Sequence, residues 1–420
     1  MLDTLRSAMK IRDLRNRVFF TLYMFIVFRV GAHVPVPGID PKVIEQLFAT
    51  GTLFGLLDLF SGGALKAFSI FAMSITPYIN ATIIMQLLTV VIPRLEKLAE
   101  EGVEGRKRLT QYTRYATTVL ALIQAVGMAF YLRNMGALLN PGFGSLAIIC
   151  IVLTAGTTFL MWLGEQITEH GIGNGISLLI FAGIVARLPA GTGRILNYIR
   201  VGTISWFNLL VLLVGGLVVI AAVVWIQEGR RKIPVQYAKR VVGRRMVGGA
   251  STHIPVRVNT AGVIPVIFAQ SVIMFPATIA AFVDHPWARA VVKFLDYGTW
   301  PYLTLYFLLI VFFTYFYTAV VFNPNQVSNN IRKYGGFIPG LRPGRPTAQH
   351  LEWVLNRITL AGAIFLALIA IMPSFFEGLT NIPNLYFGGT ALLIVVGVAL
   401  ETMKQIEAHL LMRHYEGFIK

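Results

Sequence analysis

Charged residues are so sparse along this chain that the intervals between them outline its architecture. Stretches free of Asp, Glu, Lys and Arg run over 67–93, 115–132, 134–164, 170–186, 201–227, 258–283, 297–331, 358–376 and 378–400. A helix that crosses the bilayer core needs roughly 17–25 apolar residues, so each interval holds one span and none comfortably holds two. Residues 18–35 form a further apolar run, interrupted only by Arg29 near its far end. The pattern predicts ten membrane-spanning helices. Arg6, Lys10, Arg12, Arg15 and Arg17 precede the first run and imitate a signal peptide. That run ends in His33-Val34-Pro35-Val36-Pro37-Gly38 with no small-x-small cleavage site, so it reads as an uncleaved first helix.

Composition supports this reading. Hydrophobic residues are 56% of the 420 and charged residues 13%, about half the roughly 25% of soluble domains. Mean hydropathy is +0.69. Disordered chains, soluble multidomain enzymes and small disulfide scaffolds are excluded. Cys150, the single cysteine, lies in an apolar run and reads as a packing residue.

The net charge of +17 is distributed unevenly. With the N-terminus inside, the inner segments are 1–17, 93–109, 165–175, 229–257, 323–353 and 404–420. They carry 25 of the 36 Lys and Arg residues, and the outer segments 36–66, 133–144, 187–200, 284–300 and 377–386 carry 8. Cytoplasmic loops collect Lys and Arg, so both termini are expected in the cytoplasm. The rule fails locally at 165–175, which has none. Two inner loops are unusually long and basic. One, 229–257, includes Arg230-Arg231-Lys232, Lys239-Arg240 and Arg244-Arg245; the other, 323–353, carries Arg332, Lys333, Arg342 and Arg345. Topogenic charge or lipid contact accounts for part of this. A docking surface for something large and acidic, RNA or protein, is the sharper reading.

The region 46–93 does not read as one helix. A short amphipathic piece over 53–71 contains Gly55, Asp58, Gly62, Gly63 and Lys66, and Pro77 then opens a clean helix that ends near Pro93. The short piece is either an interfacial helix on the outer surface or a re-entrant half-helix that closes a pore; irregular backbone at membrane depth requires surrounding protein or a water cavity. In helix 75–92, Ile75, Ile79 and Ile83 recur at helical spacing, and Thr82, Gln86 and Thr89 overlap that face nearer the cytoplasm. A cytoplasmic funnel above a greasy constriction and polar interhelix packing both fit. Helix 258–283 is irregular, with Pro265 and Pro276 inside it.

Catalytic chemistry is hard to find. There is no Walker A sequence, no HExxH and no G-x-S-x-G. Gly171-Ile172-Gly173-Asn174-Gly175 lacks dinucleotide spacing and reads as a tight inner turn. No Asp or Glu falls mid-span, where ion-coupled transporters usually place ionisable groups. A solute transporter would share the broken helix but should show a buried polar site, and an enzyme should show a reactive cluster.

Long stretches resemble a known family. They include VPVPGID (34–40), LFSGGALKAFSIFAMSITPYINATIIMQLLTVV (59–91), QYTRYAT (111–117) and MWLGEQITEHGIGNGISLLIFAGIVARLP (161–189). STHIPVRVNTAGVIPVIFAQS (251–271), FNPNQVSNNIRKYGGFIPGLRPGRPTA (322–348) and YFGGTALLIVV (386–396) follow in order. Over about residues 12–415 the chain is similar to the SecY/Sec61-alpha family of protein-conducting channels.

The resemblance implies an all-α membrane fold of ten helices in two inverted five-helix halves, 1–189 and 205–420, joined by an outer hinge loop at 190–204. It implies a plug at about 53–68, centred on Leu59, Phe60, Ser61, Gly62, Gly63, Ala64 and Leu65. The pore ring falls on Ile75, Ile79, Ile176, Ile180, Ile267 and Ile394. A lateral gate lies between helices 75–92 and 110–132 on one side and 258–283 and 301–322 on the other, with Thr82, Gln86, Asn259 and Gln270 as its polar positions. Arg240, Arg244, Arg245 and Arg342 correspond to cytoplasmic docking. The implied partners are SecE and SecG, the SecA motor ATPase or a ribosome with its rRNA, signal-bearing polypeptides and membrane lipids. No cofactor, metal or catalytic residue is implied, and the expected location is the bacterial inner (plasma) membrane.

Overall fold

The computed structural model describes residues 9–41, 43–44, 58, 61–202, 206–237, 240–242, 245–247, 251–282, 285–296, 298–380 and 389–418. A helix occupies each interval that the charge pattern marks out. The first half contains α1 (Arg12–Gly31), α2 (Thr76–Val91), α3 (Pro93–Glu100), α4 (Val103–Asn134), α5 (Phe143–His170) and α6 (Gly175–Arg200). The second contains α7 (Trp206–Glu228), α8 (Ile264–Phe282), α9 (Pro286–Phe294), α10 (Trp300–Val321), α11 (Pro324–Lys333), α12 (Arg345–Thr380) and α13 (Gly389–Phe418). Setting aside the short α3, α9 and α11 leaves ten long helices among the described residues. Six of these are long and apolar enough to cross a membrane, and α2 with α3 makes a seventh, broken by a bend of 100°. Arg12, Asp13, Arg15, Arg17 and Arg29 make α1 less apolar, and α8 is a shorter apolar helix.

Local chemistry sets the helix boundaries. Pro77 occupies the first turn of α2, where its missing N–H removes no bond. At the other end Ile92 is extended (φ −101°, ψ 111°) and Pro93 opens α3 in a new direction. The Asn174 side chain accepts from the Ile176 and Ser177 amides, capping α6. Residues 171–174 are therefore the tight turn that the sequence predicts. The spacing predicts Pro265 inside the helix, and the structure places it otherwise. Residues 258–263 are bends and turns, α8 starts at Ile264, and Pro265 falls in its first turn; Pro276 alone is internal.

Within the first half, α2 packs on α4, α4 on α5, and α5 on α1 and α6. In the second, α7 packs on α13, α8 on α10, α10 on α12, and α12 on α13. The halves meet along two seams: α8 lies against α2 and α4, and α13 lies against α6. The segment 190–204 is not a loop throughout, because α6 stays helical to Arg200 and a turn follows at 201–202.

The basic inner loop is partly folded. Strands β1 (Arg230–Tyr237), β2 (Arg240–Val242), β3 (Arg245–Val247), β4 (Ser251–Arg257) and β5 (Gly336–Phe337) form two small antiparallel sheets, ordered β4-β1-β5 and β2-β3. Ile233 and Val235 of β1 and Val256 of β4 turn inward onto Ile331, Ile338, Leu351 and Leu355. The second half therefore carries a small apolar core beyond its helices.

Candidate functional site: ring, re-entrant segment and seam

The predicted ring residues come from four helices of both halves. Ile75 caps α2 and Ile79 lies one turn on; Ile180 comes from α6, Ile267 from the first turn of α8, and Ile394 from the first turns of α13. These five are buried in one apolar cluster, and Ile176 is half-buried against it. Ile75, Ile79, Ile180 and Ile267 surround a void of ≈ 10 Å³ shared with Ser74, Thr76, Gln270, Ser271 and Met274. A space of that size holds at most about one water. Little open space remains there, and its lining is part aliphatic, from four isoleucines, and part polar.

Above the ring, on the side predicted to face outward, the chain enters as turns. Leu59 and Phe60 lie outside the described residues. Ser61 is helical, and Gly62, Gly63, Ala64 and Leu65 lie in a run of turns over 62–75 broken by a bridge at Ser69; Ala64 and Leu65 are buried. Among the described residues, Phe68 (φ 40°) and Ser74 (φ 55°) are the non-glycine positions with left-handed backbone. Such strain persists only where surroundings over-determine it, and it clusters at functional sites. The surroundings are specific. Val36 N–H donates to Phe68 O (2.9 Å) and Ile70 N–H to Val34 O (3.0 Å), so the VPVPG stretch clasps the segment. Phe71 stacks between Phe28 of α1 and Phe159 of α5, with centroids 6.1 and 6.0 Å away.

Three charged groups to which the sequence assigned no site role hold the same segment. Asp58, 1% exposed, lies 2.9 Å from the Arg187 guanidinium of α6. Its other oxygen accepts from Ser61 Oγ (3.2 Å) and Lys66 N–H (2.9 Å). Arg29 of α1 donates to the Gly62 carbonyl at 2.9 Å. The available signal was position: Asp58 is the only acid between Glu45 and Glu96, and Arg29 interrupts an apolar run.

The four polar seam positions are less concentrated. Thr82 Oγ1 donates to Tyr78 O within α2, and Gln86 is half-buried on the same helix. Asn259 donates to Gly262 O (2.9 Å) in the turn before α8, and Gln270 accepts from Tyr302 OH (3.3 Å) of α10. Three of the four therefore bond within their own half, and of the four Gln270 alone lines the central void. On the basic face, Arg240 and Arg245 belong to the β2–β3 hairpin, and Arg244 lies outside the described residues. Arg342 is exposed on a loop pinned by Ser328 Oγ to Gly344 O (2.7 Å) and Thr347 Oγ1 to Arg342 O (2.8 Å).

Comparison with known proteins agrees with this geometry. The SecY family model matches residues 69–403. Protein translocase subunit SecY of Halalkalibacterium halodurans is 50% identical with both chains covered completely, and that of Thermotoga maritima is 46% identical over all of this chain and 98% of its own. Among solved structures, one described as a protein conducting channel aligns with TM-score 0.66 at 18% identity, covering 94% of this chain and 92% of that one. Sec61 in the canine ribosome-channel complex aligns with TM-score 0.60 at 16% identity, over the same shares. The fold is that of a multi-pass membrane channel for proteins, a channel subunit and not an enzyme. The chain belongs to the SecY family.

Proposed function

We propose that the isoleucine ring is the constriction through which unfolded, signal-bearing polypeptides cross the membrane, and that segment 53–68 plugs it from outside. The carrying observation is the void of ≈ 10 Å³ where both halves contribute isoleucines beneath the re-entrant turns. Aliphatic walls offer an ion no replacement for its hydration, so a narrow apolar pore closes by dewetting. They also make no sequence-specific hydrogen bonds with a passenger, which suits a broad range of clients. The seam of α8 against α2 and α4 is the sideways exit for hydrophobic segments, with Thr82, Gln86, Asn259 and Gln270 as its polar positions. The halves 1–189 and 205–420 move about 190–204.

An external motor supplies the work, because the sequence holds no nucleotide-hydrolysing motif. SecA or a ribosome, through its rRNA, docks on the cytoplasmic face at Arg240, Arg244, Arg245 and Arg342, while SecE and SecG are the membrane partners. The protein resides in the bacterial inner membrane with both termini in the cytoplasm. Reconstitution with SecE and SecA in vesicles tests the reading. An unfolded signal-bearing chain should become protease-protected only when ATP is present. Equal protection of a chain without a signal, or ion-driven uptake of a small solute, would overturn it.

A further inference from the structure

The ring seals by apolar contact, but the re-entrant segment above it is held by charge. Asp58 reaches in two directions. One carboxylate oxygen closes the segment's own turn by accepting from Ser61 and Lys66, and the other meets Arg187 on α6 at 2.9 Å. Arg29 on α1 grips the Gly62 carbonyl at 2.9 Å. Between them the backbone is pressed against the wall: Gly62 is left-handed (φ +67°), and a Cβ there would sit 2.9 Å from the Gly183 Cα of α6. Two fixed helices thus each present one arginine to a segment that must leave for the pore to open.

We propose that Asp58, Arg187 and Arg29 form a latch that sets how readily the channel opens, and so which passengers it accepts. The inference rests on reading 53–68 as the plug. Its energetics are asymmetric. A buried ion pair contributes little against an apolar pair of the same shape, but removing one partner leaves an uncompensated charge. In the closed state the Asp58 side chain is 1% exposed and that of Arg187 15%. Once the segment departs, both groups enter the outer vestibule and rehydrate. Neutralising one partner therefore raises the free energy of the closed state and leaves the open state nearly unchanged. The latch determines specificity by setting the work a signal sequence must do.

The test uses the complete channel assembly in vesicles, with ion leak as the readout. Asp58→Asn keeps an acceptor for Ser61 and Lys66 and loses the charge; Arg187→Gln leaves the carboxylate orphaned. Each should raise the leak about tenfold or more, the effect of stranding a buried charge. The Asp58→Asn, Arg187→Gln double variant strands none and should leak less than either single, a coupling that a merely additive loss of packing does not give. A second readout covers variants whose leak is obscured by poor assembly. With Cys150→Ser, a cysteine at the buried Ala64 should react with an impermeant thiol reagent about tenfold faster in either single variant, the shift expected when a buried charge loses its partner. Deleting 58–67 separates the two ideas. If the deletion leaks and the single variants do not, the latch is wrong and the plug stands. A deletion without effect overturns both.

Discussion

At the residue scale, the proposed ring and the proposed docking arginine make opposite demands. Ile394 is almost fully buried among aliphatic neighbours. Asparagine there would bury an amide without partners, at a cost of about 1–3 kcal/mol, and would draw water into the narrowest point. Ile394→Asn should therefore leak ions and accept chains with poor signals; parental leak and parental stringency together would remove Ile394 from the gate. Arg342 is exposed, on a loop whose Arg342 and Gly344 carbonyls accept from the Thr347 and Ser328 hydroxyls. A guanidinium presents five donors in a fixed fork, and losing such a contact once desolvated costs about 2–5 kcal/mol. Arg342→Glu should assemble normally and fail in ATP-driven translocation, with Arg342→Lys also impaired. Normal transport by the Glu variant would refute the docking role.

At the element scale, the turns over 62–75 depend on α5 for their position. A Cβ on Gly156 would run into the Ile70 carbonyl, whereas one on Gly144 of the same helix would meet nothing. Overpacking costs about 1–3 kcal/mol, so Gly156→Ala should lower Tm by several degrees and loosen the segment, while Gly144→Ala leaves Tm unchanged. A Tm unaffected by Gly156→Ala would show that helix and turn are not in fixed register. The elements also show what could be read in advance. Every span was legible, because uncharged intervals and membrane thickness leave little choice. The sheet of β1, β4 and β5 was not: Ile233, Val235 and Val256 alternate correctly, but β1 opens on Arg230-Arg231-Lys232, which reads as loop charge, and so few apolar positions do not establish a period. The latch was illegible for a different reason. Asp58 and Arg187 lie 129 positions apart, and only packing the re-entrant segment against α6 brings them within reach.

At the scale of the whole molecule, the charge asymmetry and the folded basic face make one prediction about orientation. Ser251 begins β4 and Gln349 lies in the first turns of α12, on the loops expected in the cytoplasm. With Cys150 replaced, single cysteines at either position should resist an impermeant thiol reagent in intact cells and react after permeabilisation. Labelling from outside would invert the topology.

The predicted ring isoleucines are divided between the halves, with Ile75, Ile79, Ile176 and Ile180 on one side and Ile267 and Ile394 on the other. On the proposed reading, a parting of α8 from α2 also separates Ile267 from Ile75 and Ile79, which share one void with it. Aperture and access to oil are then a single mechanical coordinate. A passenger wide enough to stretch the constriction also uncovers the lipid beside it, and each of its segments samples both phases for as long as it dwells there. Sorting between secretion and integration then follows a partition coefficient multiplied by a residence time, and no site that recognises one sequence over another is needed.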